Sequence, residues 1–225
     1  ASGAVRWLEE QGIGLDVGVG RLPLVPAAVL IDLHVGDMRI RPDAAAGYAA
    51  CAAASGRPPA EGNVGAGSGA VVGKTFGMQH AMKGGVGTAS VTVDGVTVGA
   101  LIACNAVGDV VDRVTGLPLA GARTADGSAL RAARRALLRG EPPHQLLAGS
   151  NTTIGVIATD AQLTKVQAQR LAVAGHAGLA SAINPVHTMS EAVARAPVRA
   201  VLAARTLATP EGLVLPSHAE LAARG

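Results

Sequence analysis

The chain has 225 residues, 49% of them hydrophobic, with 30 glycines, one each of Trp, Tyr and Phe, and a formal net charge of +3. That length can bury a core and suits a single domain, and the scarcity of aromatics leaves Val, Leu, Ile and Ala to fill it by close packing. The 19 basic residues are scattered or gathered at Arg131, Arg134, Arg135 and Arg139 on one expected helix, with no interleaved aromatics, which excludes a nucleic-acid partner.

Val5 and Leu8, with charges flanking them, predict a helix over residues 1–11 that stops at Gly12 and Gly14. No capping residue precedes it, and the start is expected to be truncated. The apolar run 26–33 reads as a buried strand, and Asp43 as the cap of an alanine-rich helix reaching about residue 54. Cys51 and Cys104 sit in apolar contexts without Cys-x-x-Cys spacing. They read as buried, reduced thiols of a cytoplasmic protein rather than as a disulfide or a zinc pair. The 6 histidines are dispersed with no His-x-x-x-His pair, so neither a metal site nor a cofactor is expected. The apolar runs 22–33 and 98–107 are too short and too interrupted to cross a bilayer, and neither a secretory leader nor a membrane partner is expected.

Residues 62–74 form a glycine-dense loop. Within it Ser68-Gly69-Ala70-Val71-Val72-Gly73-Lys74-Thr75 falls one residue short of a phosphate-binding loop, because Ser68 stands where backbone must approach a phosphate without a Cβ. Lys74 is left either as a solvated loop lysine or as a site residue. A second glycine loop, 83–88, leads into a hairpin over 91–98, where Asp94-Gly95 satisfies a two-residue type I′ turn. The second strand runs on to Asn105, which is either a structural hydrogen-bonder or a catalytic group. Residues 115–127 are rich in turns, and 128–139 read as a helix with its basic residues outward. Glu141-Pro142-Pro143-His144 then breaks regular structure as an exposed, loosely held linker.

Gly149-Ser150-Asn151-Thr152-Thr153 runs straight into a β-branched strand at 154–159 with no turn between. A hydroxyl therefore sits at the mouth of the strand. A chain cut before Thr152 gives that threonine a free α-amine beside its own hydroxyl, a self-contained nucleophile and base for acyl transfer. The plain alternative makes Asn151 a turn residue and the threonines ordinary β formers. Thr164 and Gln167 form a capping-box pair opening a helix to about Ile183, in which Ala174, Gly175, Ala177 and Gly178 allow close packing before Pro185 ends it. Strands alternating with alanine-rich helices define an α+β or α/β domain.

Asn151-Thr152-Thr153-Ile154, Ala158-Thr159-Asp160-Ala161, Ile183-Asn184-Pro185-Val186-His187-Thr188 and Gly62-Asn63-Val64-Gly65-Ala66-Gly67-Ser68-Gly69-Ala70 together resemble the P1 family of self-cleaving aminopeptidases and amidases. The resemblance covers residues 1–188. Members include D-aminopeptidases/esterases, β-peptidyl aminopeptidases and nylon-oligomer hydrolases. The resemblance implies an α+β fold of the four-layer αββα sandwich type. It implies one hydrolase domain over 1–225, without the family's N-terminal region, cut between Asn151 and Thr152 into an α-subunit-like segment, residues 1–151, and a β-subunit-like segment, residues 152–225. It further implies hydrolysis of small peptide or amide substrates by Thr152, with Lys74 and Asn105 at the developing oxyanion, and a homo-oligomer of processed units. Glu191 falls where the family's acidic motif begins, but Ala192 and Val193 stand in place of its continuation, so self-cleavage is expected to be slow or incomplete. Family members tend to carry an aromatic residue near Ile31, which this sequence lacks, so the resemblance does not carry over a hydroxyl from that strand. Two alternatives stand beside this: the ornithine acetyltransferase group, similar in fold and in its self-exposed threonine, and a non-catalytic remnant.

Overall fold

The computed structural model describes residues 1–144 and 151–186, together with 207–208, 214–215, 219 and 222–223. The chain opens with helix α1 (Ser2–Glu10), the short strands β1 (Leu15–Asp16) and β2 (Arg21–Leu22), and helix α2 (Ala44–Ala52). Asp43 caps α2 as its position predicts, its carboxylate accepting from the Ala46 N–H at 2.9 Å. Arg6 of α1 lies over the Tyr48 ring of α2 at 4.6 Å from its centre. Residues 26–33 do not make the strand expected of them. Among the described residues no strand pairs with this run, Pro23 and Pro26 lack the N–H a ladder needs, and Val29 remains 73% exposed.

Strands β3 (Val71–Val72), β4 (Met82–Lys83), β5 (Gly85–Val93) and β6 (Val96–Cys104) follow, with β3 paired to β4 and β5 to β6. Asp94 and Gly95 take φ of 49° and 78°, the two positive values that a type I′ turn demands, and the turn sets Val93 opposite Val96. From there the register holds to Gly85 opposite Cys104, so most of the second glycine segment is strand rather than loop. Strand pairing across nine residues outweighs the weak strand preference of Gly85 and Gly87.

Beyond β6 come β7 (Asp109–Val111), β8 (Pro118–Ala120), helix α3 (Ala133–Leu138), β9 (Ile154–Thr159), helix α4 (Lys165–Ala182) and β10 (Ile183–Asn184). The pair β11 (Leu207–Ala208) and β12 (Val214–Leu215) stands apart from these sheets. The helix expected over 128–139 starts only at Ala133, because Ala132 is held at a φ of 55° and the Ala133 N–H is taken by Asp109 Oδ2 at 2.6 Å. Asp109, 2% exposed, also accepts from the Ala122 N–H at 2.8 Å. Burial pushes its carboxyl above the ordinary aspartate value, and these two backbone donors hold it down.

Strand β9 forms where the β-branched run predicts it and pairs antiparallel with the free edge of β6, from Ala103 opposite Ile154 to Val98 opposite Thr159. The result is a sheet ordered β5-β6-β9, and a second sheet is ordered β10-β7-β8. The expected capping box opens α4, with Gln167 N–H donating to Thr164 Oγ1 at 3.3 Å and Thr164 N–H to Gln167 Oε1 at 2.8 Å. Helix α4 packs against the edge strand β9 on one face of the first sheet, close enough that a Cβ at Gly175 would lie 2.5 Å from Ile157 Cδ1. On the opposite face Leu101 and Val156, cross-strand partners, are 38% and 61% exposed.

The architecture is mixed α+β. Its buried groups are small: Phe76 packs with Ala122, Ala133 and Ala136, and Val72 with Ala106 and Ile183. Alanine does much of the filling that aromatics do elsewhere. Cys51 and Cys104 are free thiols and half-buried rather than buried. Among the described residues no helix is long and apolar enough to cross a membrane.

Candidate active site

The site begins at Gly73, whose φ of 73° and ψ of 33° turn the chain from β3 into a tight helical turn, Lys74–Phe76. The Gly73 N–H donates to the Gly108 carbonyl at 3.0 Å, and both the N–H and the hydroxyl of Thr75 donate to the Val107 carbonyl, at 3.2 and 3.0 Å. A Cβ on Gly73 would run into the backbone at Gly121 and Ala122. Gly73→Ala is therefore expected to destabilise the fold, by about 1–3 kcal/mol from the backbone conformation alone. The urea midpoint of unfolding measures this, and an unchanged midpoint would mean that the turn yields.

This turn drives Lys74 inward, where it is 2% exposed. Its ammonium donates to the Asn105 carbonyl oxygen at 3.0 Å and to Asn105 Oδ1 at 2.9 Å. Loss of water around it lowers its pKa to about 8, an effect only partly opposed by the nearby Cys104. Lys74 is thus not a solvated loop lysine. The lysine that fastens the glycine loop is Lys83, whose ammonium reaches the carbonyls of Gly67 at 2.7 Å and Ala70 at 2.8 Å.

Asn105, at the end of β6 and 0% exposed, is the hub. Its Oδ1 accepts from the Val71 N–H at 3.0 Å as well as from Lys74, and its Nδ2 donates to the Ile31 carbonyl at 3.1 Å. Its backbone N–H donates to Thr153 Oγ1 at 3.3 Å, which ties β6 to the entry of β9. Segment 26–33 therefore reaches the centre through one carbonyl of an irregular chain and not through a strand. Burial pushes the adjacent Cys104 thiol up, with the Ala106 backbone, the Thr153 hydroxyl and the Lys74 charge acting the other way.

Thr152 lies half-buried on a cavity of about 320 Å³ that it lines together with Asn151, Thr153, Ala106 and Val107. The residues on either side of the expected cut and the two that follow Asn105 thus face one space. Residues 141–144 are irregular, with Pro142, Pro143 and His144 exposed, as expected of a linker, but they are not loosely held. The Glu141 carboxylate accepts from Arg131 Nε and Nη2 at 3.1 and 2.5 Å and from Arg139 Nη2 at 2.8 Å, and these two arginines hold it below the usual glutamate range. Arg131 also stacks over Phe76 at 3.8 Å, and the His144 N–H donates to the Thr75 carbonyl at 2.8 Å. The two prolines remove donors, but the charges around them anchor the segment beside the Lys74 turn.

The structure brings Lys74, Asn105 and Thr153 into one connected group, with Asn151 and Thr152 on the cavity next to it. Glu191, His187 and Thr188 lie outside the described residues. Residue-by-residue inspection of the sequence overlooks His176, which also lines the cavity; the available signal is an imidazole standing alone in an alanine- and glycine-rich stretch of α4. Among the described residues no group of three or more His, Cys, Asp or Glu is placed to hold a metal ion.

The family model for peptidase family S58 matches residues 1–194, and the chain belongs to that family. An uncharacterized aminopeptidase of Mycobacterium leprae is 47% identical over 197 residues, covering 84% of this chain and 52% of its own. An uncharacterized aminopeptidase of Mycobacterium tuberculosis strain H37Rv is 45% identical over 202 residues, covering 84% of this chain and 54% of its own. The chain spans about half the length of the curated relatives it matches.

Proposed function

We propose that this chain is a self-processing hydrolase that uses an N-terminal threonine to cleave small peptides or amides, as an aminopeptidase does. The observation that carries the reading is the shared cavity: Asn151 and Thr152 line it at the entry of β9, beside the residues that follow Asn105. In the precursor Thr152 Oγ attacks the Asn151 carbonyl, the peptide nitrogen takes up a proton and leaves as the Thr152 amine, and water hydrolyses the resulting ester. In the processed form that amine accepts the hydroxyl proton as Thr152 Oγ attacks the substrate carbonyl. The leaving amine takes the proton away, and water then frees the acyl group. An α-amine titrates at about 7.7 to 8.0, so a good part of it is neutral at working pH.

Lys74 supplies positive charge for the developing oxyanion, and Asn105 orients it, since two acceptor oxygens of Asn105 hold the ammonium. Glu191 is assigned to the acidic group that orients the threonine and its amine. One domain then holds two segments, residues 1–151 and 152–225, in a four-layer αββα sandwich that assembles as a homo-oligomer of processed units. The sheet face bearing exposed Leu101 and Val156 fits that layering, because one face already carries α4 and the other offers apolar surface to a second sheet. A cytoplasmic setting is in keeping with the two free thiols.

The test is the cut itself. Denaturing electrophoresis of the purified protein is expected to show two pieces, and N-terminal sequencing of the smaller to begin Thr-Thr-Ile-Gly. A different start would remove Thr152 as nucleophile, and an intact chain that still hydrolyses amides would remove the N-terminal amine as base.

A further inference from the structure

The cavity that holds Thr152 carries a second chemistry-bearing side chain, His176, contributed from α4. None of the other described residues that line this cavity has a titratable side chain. His176 and Leu179 stand three residues apart on one side of α4, and Ile183 and Val186 continue the same wall beyond the helix end. The height of this wall relative to Thr152 is set by packing. Gly175, the residue before His176, stands against Ile157 of β9, and β9 begins two residues after Thr152. The lining of the cavity thus combines an apolar wall, one imidazole and the threonine at the expected cut.

Resting on the threonine-hydrolase reading, we infer that His176 is a specificity residue: its imidazole accepts a hydrogen bond from the amino group of a small amino-acid amide whose apolar side chain lies on Leu179, Ile183 and Val186. A substrate of this kind needs an acceptor for its amine near the reacting carbonyl, and His176 provides one within the cavity. An acidic or basic side chain would have to give up its water against the apolar wall with no described ion of opposite sign lining it.

The experiment has a kinetic arm and a binding arm. For leucine p-nitroanilide, His176→Ala is expected to raise KM about tenfold, the worth of one hydrogen bond, with kcat and self-cleavage essentially unchanged. His176→Gln keeps an acceptor and is expected to recover most of that loss. Glutamate p-nitroanilide should be poorer than the leucine compound by roughly a hundredfold in kcat/KM in the parent. An unchanged KM in His176→Ala, or a fall in kcat alone, overturns the assignment. In the binding arm, L-leucinol, which has the amine and the side chain but no scissile bond, is titrated into the parent while the imidazole proton resonances are followed. A saturable shift of the His176 signal, lost with N-acetyl-leucinol, supports the site, and no shift overturns it. A saturable shift in a protein that neither cleaves itself nor hydrolyses the anilide supports the His176 site while sinking the threonine-hydrolase reading.

Discussion

Thr152→Ala is expected to give a single uncut band on a denaturing gel and hydrolysis lowered by about a millionfold, to background, as when a covalent nucleophile is removed elsewhere. One oxygen is asked to do both jobs, so both must vanish together. Thr153→Ala is the control. The Thr153 hydroxyl accepts from the Asn105 N–H at 3.3 Å, and its loss costs about 1 kcal/mol of hydrogen bonding without touching the attacking atom. That variant is expected to cleave, more slowly if the entry of β9 shifts. If both variants abolish cleavage alike, the nucleophile cannot be assigned to Thr152.

Lys74→Met is the second large effect, and it separates catalysis from stability. Turnover is expected to fall by about a hundredfold to a thousandfold, the cost of removing one oxyanion-stabilising group. Thermal stability at pH 7 is not expected to fall with it. Burial lowers the Lys74 pKa from 10.5 to about 8, which means that the folded state holds this proton less tightly than the unfolded state does. Between those two values the unfolded chain binds more protons, so the Lys74 contribution makes stability rise with pH from about 8 towards 10.5, and the penalty is present in full below that window. Methionine fills a similar space with no charge to desolvate, and the buried charge is the costly part. Urea midpoints of the parent and Lys74→Met, measured on both sides of pH 8, check the sign. A Lys74→Met protein that is strongly destabilised at pH 7 but turns over normally when folded would make Lys74 a scaffold residue.

Features written in neighbouring residues were legible in the sequence. Asp94-Gly95, the capping pair Thr164 and Gln167, the Asp43 cap and the β-branched run after Thr153 each act within a few residues of themselves, and each lies where its local chemistry puts it. Long-range pairings were not. The Lys74 ammonium meets Asn105 31 positions away, and the Asn105 amide meets the Ile31 carbonyl 74 positions away, distances over which no periodicity carries information. The run 26–33 misled for a related reason: an apolar segment becomes a strand only if an edge is there to receive it, and β6 receives β5 and β9 instead. The linker before the cut misled in the opposite sense, because two prolines announce irregular backbone but say nothing of Arg131 and Arg139 closing on Glu141. His176 was hidden by orientation, since which side of α4 faces the cavity depends on where Gly175 settles against Ile157.

The position of β9 has one more consequence. Severing the chain at Asn151 would leave β6 in one polypeptide and β9 in the other, still joined by a ladder of six facing residue pairs, while β10 stays paired to β7 across the same divide. Maturation would then change the molecularity of the native state: folding before the cut is unimolecular, whereas reassembly afterwards is a second-order encounter between two strangers. A processed sample, once denatured, would recover as a function of its dilution, and the zymogen would not. The intact chain serves, on this account, as its own folding template, discarded once the seam is closed.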